Sequence, residues 1–252
     1  MRFSFFILIS IVCSFLGLSI SSFLTAAEPS QSEAAMNNLY RQFAREILFA
    51  ADLDKPNSLI AAGSETPTQQ SDDVQFGPGL RGQGLVNGKI RYSADKNVDP
   101  AAGTVLFWMR VARPEGQTDP KEPNFWPLYI EFNQGQMLAG KMDIFNSAPI
   151  YTYLQGHPAV GLVLVNTYQS TKTWKPDDWH LIVVCWQPGE LKISLDGQPF
   201  VNSVKMPPLT GVPKAIEIRA TNHSACSVAI DEVIVLNRPI TEKEAADVAR
   251  SK

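Results

Sequence analysis

The sequence predicts an all-β fold: a two-sheet antiparallel sandwich with one short helix at each end. Three observations carry this expectation. About a dozen short apolar runs alternate with Gly, Pro, Asn and Asp, the residues that turn a chain. The segment WHLIVVCWQPGELKISLDGQPF, Trp179 to Phe200, reads as two strands joined at Pro188-Gly189, with an Asp196-Gly197 turn beyond them. Asp-Gly between apolar alternations is a strong hairpin signal, because both residues tolerate positive φ. Helical patterning is confined to the two ends of the chain.

Taken in order, Met36, Leu39, Tyr40, Phe43 and Ile47 recur at helical spacing and predict a helix of about four turns packed on the sandwich. Ile47 to Leu53 opens the domain as a strand. Asp54 to Asp73, rich in Pro, Ser, Thr and Gln, reads as a loop. Gly77-Pro78-Gly79, Gly82, Gly84 and Gly88 punctuate two short strands, and no helix-forming run follows them, so they do not read as a dinucleotide fingerprint. Gly103 to Val111 is a core strand: Val105, Phe107, Met109 and Val111 share one face, and Thr104, Leu106, Trp108 and Arg110 the other. Arg113 to Asn124 is a polar insertion with three prolines. Strands follow at Leu128 to Asn133, Met137 to Phe145, Ile150 to Leu154, and Ala159 to Tyr168. A loop then carries Trp174 and Pro176. Leu181 to Trp186 is apolar without interruption, which predicts a strand covered on both faces. Lys214 to Ala220 and Ser227 to Leu236 complete the set. The stop Asn237-Arg238-Pro239 leads into a final helix, whose Thr241 and Glu244 have capping-box spacing.

The first 27 residues read as a secretory signal. Arg2 is a short positive head, Phe3 to Leu24 is uncharged and apolar, and Thr25-Ala26-Ala27 supplies small residues for cleavage before Glu28. The stretch is also long enough to span a bilayer, so an uncleaved N-terminal membrane anchor is the alternative. Val12 before Cys13 does not fit a lipidation box. The chain then divides into residues 1–27 as signal, 28–45 as lead and helix, and 46–252 as a single domain. This points to export: secretion, or a periplasmic or envelope location. The formal charge of −3 shifts to −4 without Arg2, and no Lys/Arg cluster suggests nucleic acid or an anionic membrane. Cys185 and Cys226 remain after cleavage. In an exported chain, two cysteines fit either one disulfide or two buried thiols.

In their order, the hairpin from Trp179, the segment AIDEVIVLNRPITEKEAADV from Ala229 to Val248, and GTVLFWMRV from Gly103 resemble the laminin-G-like jelly-roll domains of the concanavalin A-like lectin/glucanase superfamily. The resemblance covers roughly residues 46–250, rests mostly on strand and turn residues, and implies a jelly roll. It further implies that Asp231 belongs to the structural signature that ends these domains. The glucanases of that superfamily use a strand bearing Glu-x-Asp-x-x-Glu, whose two glutamates flank the glycosidic bond. The nearest string here, KMDIFN, keeps only Asp143. Lys141 and Asn146 stand where the carboxylates would be. Asp231 and Glu232 are adjacent, so strict alternation sends them to opposite faces. No G-x-S-x-G or zinc spacing accompanies His157, His180 and His223.

The expectation is therefore an exported, non-catalytic binding module. Its resemblance implies a glycan or polysaccharide as ligand, or an extracellular or envelope protein as partner; hydrolase or lyase activity is the remote third class. Sugar binding needs aromatic faces beside planar polar groups. Tyr151, Tyr153, Asn166, Tyr168 and Trp174 are the candidates, with Tyr151/Tyr153 and Asn166/Tyr168 each sharing a strand face. The alternative for each aromatic is plain packing. Calcium is the one cofactor the resemblance suggests; Asp143, Asp177 and Asp178 are the candidate ligands, with Asp99 and Asp119 as further oxygens. Edman sequencing of the exported protein is expected to begin at Glu28. A product that retains Met1 and sediments with membranes would establish the anchor.

Overall fold

The computed structural model describes residues 39–54, 59–112, 125–133, 135–141, 149–170, 174–203, 205–223 and 226–252. The signal segment, Asp119 and Asp143 lie outside these. Among the described residues the strands are β1 Ile47–Ala51, β2 Leu59–Ala61, β3 Pro67–Gln70, β4 Gln75–Pro78, β5 Gln83–Ser93, β6 Gly103–Ala112, β7 Leu128–Phe132 and β8 Gly135–Lys141. They continue with β9 Pro149–His157, β10 Gly161–Ser170, β11 Trp179–Gln187, β12 Glu190–Leu195, β13 Val201–Ser203, β14 Ala215–His223 and β15 Cys226–Leu236. A helix at Glu242–Arg250 ends the chain.

All pairings are antiparallel, and the strands form the two layers of a sandwich. Sheet A runs β13-β12-β11-β6-β15, with β1 and the first half of β5 sharing the far side of β15. Sheet B runs β10-β9-β8-β7-β14-β5-β3. β5 belongs to both: Leu85 pairs with Ile230 in sheet A, while Gly88 to Ser93 pair with β14 in sheet B. The crossing falls at Gly88, whose φ is +87° and whose missing Cβ would lie 2.8 Å from the Val74 Cα. Only glycine fits such a bend without strain.

The predicted alternation of β6 holds. Val105, Phe107, Met109 and Val111 point into the core between the sheets with Ile182, Val184, Ile218 and Ile230. Leu106 and Trp108 point out the other side, with Leu181, Val183 and Cys185 of β11 and Ile234 and Leu236 of β15. The double cover expected for Leu181 to Trp186 is thus real, and its outer layer is built from the two chain ends. Leu39 and Phe43 cover it from the N-terminal side, and Ile240, Ala245 and Val248 from the C-terminal helix. Burying such side chains stabilises by about 1.5–3 kcal/mol each, before the entropy of ordering the chain.

Both ends are anchored by polar contacts. Thr104 Oγ1 donates to the Arg238 carbonyl (2.7 Å) and accepts from the Ile240 amide (3.1 Å), which fixes the stop segment on β6. The capping box is complete: the Glu244 amide donates to Thr241 Oγ1, and the Thr241 amide donates to Glu244. Arg238 bonds the same Glu244 at 2.7 Å, and this bond leads in pulling the Glu244 carboxyl down to about 2.

One expectation is corrected, and of the two alternatives open for the cysteines the buried thiols are the one found. Described helix at the N-terminal side ends by residue 42, and residues 43–46 are turns, so a helix continuing to Ile47 is not formed. No disulfide joins Cys185 to Cys226. Cys185 packs on the outer side of sheet A and Cys226 in the core between the sheets, so the sheet itself separates their side chains. Burial pushes the Cys185 thiol up to about 11, which makes it inert.

The Asp196-Gly197 turn has both residues at positive φ, +52° and +69°, as a type I′ hairpin turn requires. A Cβ on Gly197 would lie 2.7 Å from the Ala246 Cα and 2.9 Å from the Ala249 Cβ. Gly197→Ala is therefore expected to cost about 1–3 kcal/mol by strain and overpacking against the C-terminal helix. Urea unfolding checks it as a lower midpoint with an unchanged slope.

Candidate functional site

Sheet A has both faces covered, whereas no strand or helix among the described residues packs on the outer face of sheet B. Alternation puts Lys89 and Arg91 of β5, Tyr129 and Glu131 of β7, and Glu217 and Arg219 of β14 on it. Their neighbours Ile90, Leu128, Ile130, Ile216 and Ile218 point into the core. The register aligns Arg91, Glu217, Tyr129, Leu138, Tyr153 and Leu164 in one cross-strand row.

The row begins as a charge network. Arg91 Nη1 donates to the Tyr129 hydroxyl (2.7 Å), which donates to Glu217 Oε2 (2.8 Å). Arg91 also bonds Glu131 through Nη2 and reaches Glu217 at 3.3 Å, while Arg219 Nε bonds the other Glu217 oxygen. Burial works to raise the Glu217 pKa, but the bonds from Tyr129, Arg219 and Arg91 outweigh it and hold the carboxyl below its usual range. Both guanidinium groups also lie over the Tyr129 ring, Arg219 at 5.1 Å and Arg91 at 5.9 Å. Tyr129 is thus fixed in place and only 8% exposed. It packs with Tyr153, 6% exposed, and with the half-buried Trp126 just ahead of β7. Beyond Tyr153 the face ends on the edge strand β10, where Leu162 and Leu164 are 56% and 49% exposed.

The structure brings together some of the residues singled out from sequence. Tyr151, Tyr153 and Asn166 meet on β9 and β10, with Asn166 the register partner of Tyr151. The side chains of Tyr151 and Tyr168 lie outside the described residues. Tyr153 is corrected from an exposed stacking ring to a packing residue of the Trp126 and Tyr129 cluster. Trp174 lies apart from these, half-buried. It stacks on His180 of sheet A, with ring centroids 3.6 Å apart, and packs against the core between the sheets. His180 in turn bonds Asp196 at 2.7 Å. Calcium finds no support at Asp177 and Asp178: among the described residues no group of three or more His, Cys, Asp or Glu is placed to hold a metal ion. Asp99 turns its carboxylate onto its own loop, accepting from the Ala101 amide at 2.8 Å.

The sequence reading passed over Arg91, Tyr129, Glu217 and Arg219. Their signal was the polar alternation in KIRYS, LYIEF and AIEIRA, but only strand order shows that these three segments are neighbours.

A second cluster corrects the expectation for Asp231 and Glu232. A bulge puts one extra residue in β15 opposite Leu106 to Trp108, with Glu232 at a φ of +52°. Alternation fails there, and the two carboxyls share the surroundings of Arg81 and Tyr40. Asp231 accepts the amides of Leu80 (2.7 Å), Arg81 (3.2 Å) and Glu232 (2.9 Å), a backbone-bonding role within the strand. Both carboxyls are sealed, at 0% and 2% exposure, so they are closed to a polymeric substrate. Burial leads in raising Asp231 to about 8 and Glu232 to about 9, and for Glu232 the Asp231 charge adds to it.

The chain is an all-β sandwich whose sheet B carries aromatic and charged residues on its outer face. The sequence matches no protein family and no curated protein. Solved structures share its fold. One is a binding domain of botulinum neurotoxin DC in complex with SialylT, with a TM-score of 0.59 at 14% identity over 82% of this chain and 51% of that one. Another, with a TM-score of 0.63 at 13% identity over 84% of this chain and 52% of that one, is of botulinum neurotoxin type C, whose cell entry is described as dependent on two ganglioside molecules. A third is the neurotoxin DC binding domain in complex with rat synaptotagmin II, with a TM-score of 0.62 at 13% identity over 83% of this chain and 52% of that one. The chain spans about half the length of each. These neighbours are binding domains with a jelly-roll-like sandwich.

The buried carboxyls set a pH dependence. Their folded pKa values lie above the unfolded values near 4, so their stability contribution is full below about pH 4 and is lost as pH rises through 8 to 9. Urea midpoints are expected to fall from pH 6 to pH 9.5. Glu232→Gln, neutral at every pH, is expected to flatten that fall. An unchanged slope in the variant would assign the loss to other groups.

Proposed function

We propose that this chain is an exported, non-catalytic module of the laminin-G-like class in the concanavalin A-like superfamily. It binds carbohydrate through the outer face of sheet B. The observation that carries this reading is Trp126, half-buried on the rigid pair Tyr129 and Tyr153 beside the Arg91, Glu217 and Arg219 network. A fixed indole face next to planar charged groups is the pairing that sugar recognition uses, hydrophobic face against ring and fork against hydroxyl. The complex with SialylT and the dependence on two ganglioside molecules named for the fold neighbours are consistent with it. The non-catalytic half rests on Lys141 and Asn146 in place of the glucanase carboxylates, and on the sealing of Asp231 and Glu232.

One observation favours a second reading, contact with an extracellular or envelope protein. Leu162 and Leu164 form an exposed apolar strip on an edge strand, the kind of surface that marks protein contacts.

A glycan-array screen of the mature chain, with and without calcium, decides between them. Binding is expected in the micromolar-to-millimolar range, since stacking on one exposed ring contributes only about 1 kcal/mol. Trp126→Ala is expected to weaken it about tenfold with the fold kept. Tyr153→Ala is expected to destabilise the fold by about 3–5 kcal/mol as a buried aromatic. Absence of binding to any glycan, or binding indifferent to Trp126→Ala, would pass the case to the protein-contact reading.

A further inference from the structure

β10 ends sheet B, and no strand pairs beyond it among the described residues. It is ten residues long, Gly161–Ser170. The other strands at the margins of the two sheets, β2, β3, β4 and β13, have three or four residues each. A short margin offers few unpaired amides and carbonyls, whereas a long one is a template for another strand.

Long edges are ordinarily guarded by charge, by proline or by a bulge that turns them away. β10, GLVLVNTYQS, has no proline and no charged residue. The whole β9–β10 hairpin, Pro149 to Ser170, lacks Asp, Glu, Lys and Arg, in a chain of which 19% is charged. The irregularities of β10 fall at its two ends, so Leu162 to Asn166 run in unbroken register with β9. Val163 and Val165 of this stretch point into the core, beside β12 and β13 of sheet A. Leu162 and Leu164 point outward, 56% and 49% exposed. One exposed leucine is ordinary; two on the same face of an unguarded edge form a contact strip.

We propose that β10 pairs with β10 of a second copy of this chain, antiparallel about a two-fold axis at Val163. The strand's own chemistry selects this occupant. The axis sets Leu162 opposite Leu164 of the partner subunit, and Leu164 opposite Leu162 of the partner subunit, so apolar side chains meet in direct cross-strand pairs. Such a contact is self-complementary, as a closed dimer requires. The neutral hairpin brings no like charges together, although the chain as a whole is net negative. A charged peptide would find no counter-charge on β10. An uncharged apolar edge is best matched by another, and the chain itself carries one. The axis stands perpendicular to the sheet, so sheet B continues from copy to copy with both outer faces on one side. Two Trp126 platforms then face the same way, and a weak site gains by bivalence. The pairing rests on the strip that the protein-contact reading singles out and names its partner; it stands without the carbohydrate site.

One strand pair covers less than the roughly 800 Å² per partner of a standard interface, so the dimer is expected to be reversible. Sedimentation equilibrium of the mature chain is expected to show a dissociation constant of about 10–100 μM. Leu164→Lys places the usual guard on the edge. It is expected to keep the thermal midpoint and to weaken the dimer at least about tenfold. Leu162→Lys is expected to do the same, which keeps the test decisive should one variant fold poorly. Lys243→Ala, on the C-terminal helix, is the control. The register is read by trapping under oxidised glutathione. A mixture of Leu162→Cys and Leu164→Cys chains is expected to cross-link faster than either variant alone, since the native Cys185 and Cys226 are buried. A mixture that links no faster would overturn the axis at Val163. A dimer indifferent to both lysine variants would overturn the β10 contact. A monomer at every concentration would overturn the pairing and leave the protein-contact reading with a different partner. A monomer that binds phosphatidylcholine vesicles through these leucines would overturn it in favour of lipid.

Discussion

The architecture depends on one constraint: β6, β11 and β15 are apolar on both faces. A sheet with two apolar faces needs two covers, because each exposed side would leave several large side chains in water. Sheet B supplies the first. The second comes from the ends of the chain, Leu39 and Phe43 on one side and the C-terminal helix on the other. Thr104 and Arg238 hold that helix at the exit of β15, and Glu244 serves both the cap and the Arg238 ion pair. With both faces of sheet A closed, the outer face of sheet B is the sheet face on which no further layer packs among the described residues.

The same economy of contacts governs the turn that feeds β5. The Asp231 carboxylate collects two amides from the Gly79 to Gly84 bend, and a Cβ at Gly79 would fall 2.5 Å from its Oδ2. The bulge at Glu232 delivers that carboxylate to the bend at the cost of a left-handed backbone, about 1–3 kcal/mol for a non-glycine residue. Arg81 then ties the bend to the Ser251 carbonyl beyond the C-terminal helix. One buried cluster therefore locks the first half of β5, the bulged strand and the chain end together.

On sheet B the polar groups are arranged differently. Glu217 and Glu232 are both 2% exposed, yet the Glu217 pKa is held down rather than pushed up, because two guanidinium groups and a phenol converge on it and outweigh a burial that is deeper around Glu232. That convergence fixes Tyr129 and with it the seat of Trp126. The face is graded: fixed charges at β5 and β14, aromatic rings at β7 and β9, exposed leucines at the β10 edge.

The sequence by itself determined the sandwich, the face assignment of β6, the double cover of Leu181 to Trp186, the Asp196-Gly197 turn and the C-terminal capping box. Each of these is a local matter, set by a period of two, a φ preference or a three-residue spacing. It placed Tyr151, Tyr153 and Asn166 on strands that adjoin, because a hairpin joins them within a few residues. It missed the Arg91, Tyr129, Glu217 and Arg219 network, because β5, β7 and β14 are far apart in the chain and only sheet order makes them neighbours. Strict alternation misplaced Glu232, since a bulge depends on what the opposing strand offers rather than on the residue itself. That an aromatic such as Tyr153 packs and does not stand exposed was likewise decided only by tertiary structure. Burial is a property of what lies opposite, and the period of a strand says which way a side chain points but not what it meets.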